Sequence, residues 1–239
     1  KMKENQIIGE LVARDYRTAS VFKKYGIDFC CQGNRTIEEA CEKKNIDTKK
    51  VLEDLVAMME AKSESTTDYQ SWPLDLLADY IEKKHHRYVQ EKTLEIQPYL
   101  DKICKVHGER HPELLEIKEE LNASAGELAA HMKKEEMILF HFIRKMTKAK
   151  LENTKVDAAH FGTVKNPIQM MMNEHTVEGN RFRKIEELSN NYTPPLDACN
   201  TYRVSFALLK EFEQDLHLHI HLENNILFPK AVEIENDLI

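Results

Sequence analysis

Four long stretches of the chain repeat apolar residues at helical spacing, at roughly 74–106, 113–149, 163–190 and 196–234. Turn-forming residues separate them: Gly108 and Pro112, then Asn153 to Phe161, then Asn190-Asn191-Tyr192-Thr193-Pro194-Pro195. Short connections force neighbours to run antiparallel, so the pattern predicts an up-down-up-down four-helix bundle. Residues 7–60 carry shorter helical patterns. Ile7-Ile8-Gly9-Glu10-Leu11-Val12 opens the first. Asp15 is predicted to cap the second, with Ala19, Val21, Phe22 and Tyr25 inward and Gly26 as its stop. A turn from Ile27 to Arg35 holds Cys30 and Cys31. Thr36 and Glu39 form a capping box for the third, because each can satisfy a terminal donor near the other. Asp47 caps the fourth, whose apolar stripe is Val51, Leu52, Leu55, Val56 and Met59. The all-α division is therefore an N-terminal helical domain (1–60), a polar, aperiodic linker (61–72) and the bundle (73–239).

Composition narrows the picture. Hydrophobic residues at 41% supply a core, and only 7 Gly and 7 Pro interrupt the chain, which favours long helices. The net charge of −7, with no basic run interleaved with aromatics, argues against nucleic acid as a partner. No apolar run approaches the ~20 residues a membrane span needs. The polar start, Lys1 to Asn5, predicts no leader peptide. The 5 cysteines are odd in number and two are adjacent, which fits reduced thiols in a cytoplasm better than a disulfide framework.

The 11 histidines carry the chemistry. His131-Met-Lys-Lys-Glu135-Glu-Met-Ile-Leu-Phe140 and His219-Ile-His-Leu-Glu223-Asn-Asn-Ile-Leu-Phe228 are the same pattern, 88 residues apart. Residues i and i+4 share a helix face, so each block projects an imidazole and a carboxylate beside an apolar run. A lone pair of this kind is ordinarily a surface hydrogen bond. Two copies with the same apolar continuation point to metal, which compensates a buried carboxylate. His175 lies midway between the blocks, and His86 lies 45 residues before His131. The first and third bundle helices then give one His each, and the second and fourth give one His and one Glu each. His85 is an alternative to His86 if the helix register shifts. If both glutamates bridge, each metal receives two imidazoles and two carboxylate oxygens. A bridging oxo or hydroxo adds a fifth ligand and one position stays open. That mixture suits a non-haem pair of iron ions. The spacing differs from the Glu-x-x-His of ferritin-like sites, which argues against ferritin-like oxidase chemistry. His107, His111, His141, His160, His217 and His221 lie in loops or off the ligand face, and Cys41, Cys104 and Cys199 read as structural.

The repeated blocks, with Tyr25-Gly26-Ile27-Asp28-Phe29-Cys30-Cys31-Gln32-Gly33, resemble the iron–sulfur cluster repair di-iron proteins over nearly the whole chain. The resemblance implies an N-terminal Cys-Cys domain, a haemerythrin-like bundle and a di-iron centre on His86, His131, Glu135, His175, His219 and Glu223. It implies repair of clusters damaged by nitric oxide or peroxide, client proteins bearing such clusters, and often a homodimer. It also maps two acidic groups near the centre onto Glu127 and Glu174, each of which is otherwise an ordinary solvated glutamate. The family turn usually reads Cys-Cys-Gly-Gly. Gln32 stands in place of the first Gly, which puts a left-handed backbone role there in doubt. Cys30 and Cys31 are expected to pick up iron leaving the bundle or to exchange electrons, with Arg35 and the helix start at Thr36 favouring a thiolate. Two alternatives use the same centre: an enzyme reducing nitric oxide, and a protein that binds or senses O2 or NO as haemerythrins do. Haemerythrins carry one more histidine at the metal pair, which weakens the carrier reading.

Overall fold

The computed structural model describes residues 2–61 and 67–238. Four short helices come first: α1 (Ile8–Arg14), α2 (Thr18–Lys24), α3 (Ile37–Lys44) and α4 (Thr48–Glu60). The expected box at the start of α3 is present, Thr36 Oγ accepting from the Glu39 N–H and the Glu39 carboxylate from the Thr36 N–H. Asp47 caps α4 by accepting from the Lys49 N–H. α2 ends as read: Gly26 is left-handed at φ 62°, with Gly26 N–H bonded to Lys23 O and Ile27 N–H to Phe22 O. Asp15 behaves differently. It follows α1 in extended backbone, and its carboxylate grips the N–H and guanidinium of Arg17 in the turn before α2. A Tyr-Arg step intervenes, so the carboxylate does not reach the first turn of α2. The stripe of α4 is also narrower than expected. Val51 and Leu55 are fully buried, whereas Val56 and Met59 face solvent. Of the segment read as a linker, 62–66 lie outside the described residues. Its end is packed: Tyr69–Ser71 makes one 3₁₀ turn, and Tyr69, Trp72 and Tyr80 form an aromatic cluster with centroids 5.0–5.6 Å apart.

The bundle follows as α5 (74–107), α6 (113–152), α7 (Lys165–Leu188) and α8 (200–238). Each packs on its sequence neighbour and α8 closes on α5, giving the expected up-down-up-down ring. Left-handed Asn153 ends α6, and left-handed Asn190, Asn191 and Tyr192 break the chain after α7. Three of the four helices are not regular. Each contains one widened π-type turn: Ile81–His86 in α5, Glu135–Leu139 in α6 and Glu223–Leu227 in α8. Such turns insert a residue into the ladder and re-aim side chains, commonly at functional sites.

The interior divides into two apolar clusters. One runs through α1–α4 and the adjoining half of the bundle, joining Phe22, Ile37 and Leu55 to Phe182, Phe206 and Phe212. The other fills the opposite end, around Leu77, Phe140, Ile143, Leu222 and Phe228. The N-terminal helices and the bundle thus share one core. Asn224 and Asn225 of α8 fasten the cysteine turn to it by donating to Cys30 O and Phe29 O, each at 3.1 Å. Among the described residues, no helix is long and apolar enough to cross a membrane.

Candidate metal centre

A layer of buried polar side chains lies between the two apolar clusters. It consists of His86 from α5, His131 and Glu135 from α6, His175 from α7, and His219 and Glu223 from α8, each at most 3% exposed. They form two overlapping groups: His86, Glu135, His219, Glu223, and His131, Glu135, His175, Glu223. Within each, one ligand atom per residue falls inside a 4.8 Å sphere of separation. Both glutamates belong to both groups. His86 Nε2 stands 3.4 Å from Glu135 and 3.7 Å from Glu223. His131 Nε2 is 3.4 Å from Glu135, His175 Nε2 is 3.1 Å from Glu223, and His219 Nε2 is 3.1 Å from Glu223.

The second nitrogens explain how the rings are held. His86 Nδ1 faces Glu136 at 2.8 Å, His131 Nδ1 faces Glu174 at 2.6 Å, and His175 Nδ1 faces the Asn224 amide oxygen at 2.7 Å. An oxygen acceptor keeps hydrogen on Nδ1 and turns the Nε2 lone pair inward. Two such lone pairs meet where His131 Nε2 lies 2.9 Å from His175 Nε2. That contact requires a proton on one nitrogen or a cation between them. Two imidazoles side by side on one ion, at about 2.1 Å each, would stand roughly 3 Å apart. His86 Nε2, both Glu135 oxygens and Glu223 Oε2 are buried with no hydrogen-bond partner. Orphaned polar atoms aimed at one place fit a bound cation, because buried carboxylates need compensating positive charge.

His85 precedes His86 within the widened turn but points elsewhere. It is fully buried, but Asp215 holds its Nδ1 at 3.0 Å, and the ring stacks against His219 rather than entering either group. Glu174 sits where the resemblance placed an acid, shared between His131 and Lys134. Glu127 does not touch His131. It is half exposed and paired to Arg181 at 3.0 Å, because its helix face turns toward α7. It lies on the wall of a cavity of about 270 Å³ that reaches the rings of His131 and His175. Glu136, Asn224 and Asp215 escaped the sequence reading. A regular helix would turn Glu136 away from a site built on Glu135, whereas the widened turn brings it to His86. Asn224 left a signal: an amide between the buried Glu223 and the Ile226-Leu227-Phe228 run must find buried partners. His217 and His221 point away from the centre, as read, and pack on Phe29 of the cysteine turn.

The electrostatics follow from burial and two shared anions. Burial pulls His86 and His131 down, but Glu135 and Glu223 outweigh it and lift them to about 10 and about 9. Burial lowers His219. Burial raises both glutamates, yet the surrounding imidazoles win, holding Glu135 below and Glu223 well below the usual carboxylate range. Without a cation, protons on His86 and His131 balance the two carboxylates. Those ion pairs stabilise the fold fully below the unfolded histidine value near ~6.5, and the contribution fades as pH rises through about 9 and about 10. Cation binding must expel the same protons. Loading at neutral pH in weak buffer should therefore release about two protons per chain. The release should shrink toward zero as pH passes these values, and affinity should fall in mild acid. A dye-indicator titration reads both; pH-independent release would contradict the charge assignment.

Helices that converge His and Glu donors from all four sides of an up-down-up-down bundle define a haemerythrin-type cation-binding protein. The family model for the haemerythrin HHE cation binding domain matches residues 77–231, and that of a domain of unknown function, DUF542, matches residues 4–59. The chain belongs to the family of iron–sulfur cluster repair proteins. It is 34% identical over 231 residues to the iron–sulfur cluster repair protein YtfE of Yersinia pestis (strain Pestoides F), covering 97% of this chain and 98% of that one. The protein of the same name from Yersinia pseudotuberculosis serotype IB (strain PB1/+) matches to the same extent.

The cysteine turn departs from expectation in its electrostatics. Arg35 is turned to the Gln32 carbonyl at 3.3 Å, not to a thiol. The neighbouring Cys31 and burial push the Cys30 thiol well up. Gln32 is absent from the left-handed positions, so this turn does not need glycine's freedom there.

Proposed function

We propose that this chain holds two non-haem irons in the bundle and supplies iron to proteins whose iron–sulfur clusters have been damaged by nitrosative or oxidative stress, in the cytoplasm. The observation that carries this reading is the sharing of both glutamates by two histidine pairs, in a chain whose relatives are named for cluster repair. His86 and His219 would hold one ion, His131 and His175 the other, with Glu135 and Glu223 common to both. Iron so bound supplies a labile, redox-active cation. Glu136, Glu174 and Asn224 fix the ring tautomers, and the two apolar clusters keep bulk water from the carboxylates. In this division residues 73–239 house the centre and residues 1–60 bring the cysteine turn against it. Cys31 Sγ contacts the backbone oxygen of His175 at 3.3 Å, and Asn224 joins the His175 ring to Cys30 O. These contacts support a role for the turn in receiving iron.

The test is transfer. Iron-loaded protein is mixed anaerobically with a protein whose cluster nitric oxide has destroyed, and the cluster's return is followed by absorbance. The loaded chain should restore it faster than free ferrous iron at the same concentration. Changing Cys30 and Cys31 together to Ser should leave the bundle's iron intact and slow delivery. Restoration no faster than free iron, with nitric oxide consumed by the reduced chain, would replace repair with the enzyme reading.

A further inference from the structure

The vicinal cysteines have a third partner. Asp28 Oδ1 lies 3.5 Å from Cys30 Sγ, and the two sulfurs are 3.7 Å apart. One ligand atom from each of Asp28, Cys30 and Cys31 falls within 4.8 Å of the others. The two measured spacings match edges of a single tetrahedral coordination shell. Two sulfurs bound at about 2.3 Å to one ion stand roughly 3.8 Å apart, and a sulfur and a carboxylate oxygen roughly 3.6 Å apart. They do not match a disulfide, whose sulfurs must close to about 2.05 Å.

The surroundings are shaped for this cluster. Gly179 lies inside α7, where glycine is a poor helix former. A Cβ at that position would stand 2.8 Å from Cys31 Sγ, so the missing side chain makes room for the thiol. A cavity of about 180 Å³ is lined by the three donors together with His217 and Glu213. Structural zinc sites close all four positions with protein ligands, while sites that exchange or react keep one open. Three donors facing a cavity belong to the second kind.

We propose that Asp28, Cys30 and Cys31 form a second, exchangeable cation site, distinct from the bundle centre, for a thiophilic divalent cation such as ferrous iron. On binding, two S–H bonds give way to two metal–sulfur bonds and two protons pass to solvent, with no change in oxidation state. The site deepens the repair reading and rests on it for its cargo: it would be the stop between the His/Glu centre and the client. Its open position is where an incoming client ligand would attach.

The experiment uses the reduced full-length chain with its bundle already loaded with iron, titrated anaerobically with Co²⁺. A thiolate-to-cobalt charge-transfer band should grow and saturate near about one added equivalent. The double change Cys30→Ser, Cys31→Ser should abolish it. Asp28→Asn should weaken binding by more than about tenfold. Gly179→Ala should weaken it by displacing Cys31 Sγ, although alanine favours the helix. Iron content of the bundle serves as the fold control in every variant. No band in the wild type, a band that survives the double Ser change, or full affinity in Gly179→Ala with an intact bundle would overturn the site. A band without iron transfer to clients would leave the site standing and remove the repair reading; transfer without a band would do the reverse.

Discussion

With the cysteine turn blocked by Cys30→Ser and Cys31→Ser, iron content is expected to fall from about two per chain to fewer than one when Glu223 is replaced by Ala, but only to about one when His86 is replaced. The asymmetry comes from which groups the residues join. Glu223 reaches the imidazoles of His86, His175 and His219 at 3.1–3.7 Å and belongs to both halves of the centre. His86 belongs to one half alone. Losing Glu223 also removes one of two buried anions, so Glu135 must balance both cations by itself, which leaves excess positive charge in a water-poor layer. Losing His86 leaves His131, His175 and both carboxylates in place. The comparison is made by metal analysis after identical anaerobic loading, with helicity as the fold control. Two irons retained by Glu223→Ala would show that the carboxylate is not shared.

The second large effect is on stability. Phe182→Ala should cost about 3–5 kcal/mol, set against a total of about 5–15 kcal/mol for a folded domain. Phe182 is fully buried and stacks on Phe212 with centroids 5.3 Å apart. It sits in the cluster that joins α1–α4 to the bundle. The ring's removal leaves a cavity that cannot collapse without moving α7 against α8. The urea midpoint should fall accordingly, while the metal layer, beyond that cluster, keeps its iron in the fraction that remains folded. A change below about 1 kcal/mol would mean that the two parts do not depend on the shared core.

The six converging residues were legible because chemistry was written twice. A His and a Glu one turn apart, followed by the same Ile-Leu-Phe run in Glu135–Phe140 and Glu223–Phe228, set face, depth and symmetry together. Helix identity, the breaks at Asn153 and Asn190, and the caps at Thr36 and Asp47 were legible for similar local reasons. What was hidden lay in departures from regular geometry and in contacts across the fold. The widened turns re-aim the side chains they hold, His85, His86 and Glu136 among them, and no residue pattern at helical period reports an inserted residue. Asp15 looked like a cap because its type is right, yet two intervening residues put α2 out of reach. Arg35 looked like a partner for the thiols from sequence distance alone, while the backbone turned it to Gln32. Sequence alone did not orient Glu127 and Glu174; the facing helix decided that Glu174 meets His131 and Glu127 meets Arg181.

The most direct test is to count metal in the whole chain after anaerobic reconstitution with ferrous iron and removal of loosely held ions. With the cysteine turn blocked by Cys30→Ser and Cys31→Ser, so that only the bundle is read, the expected result is about two irons per chain with the electronic signature of a coupled pair. About one iron per chain, two uncoupled irons, or a bundle that takes only zinc would contradict the shared-glutamate centre.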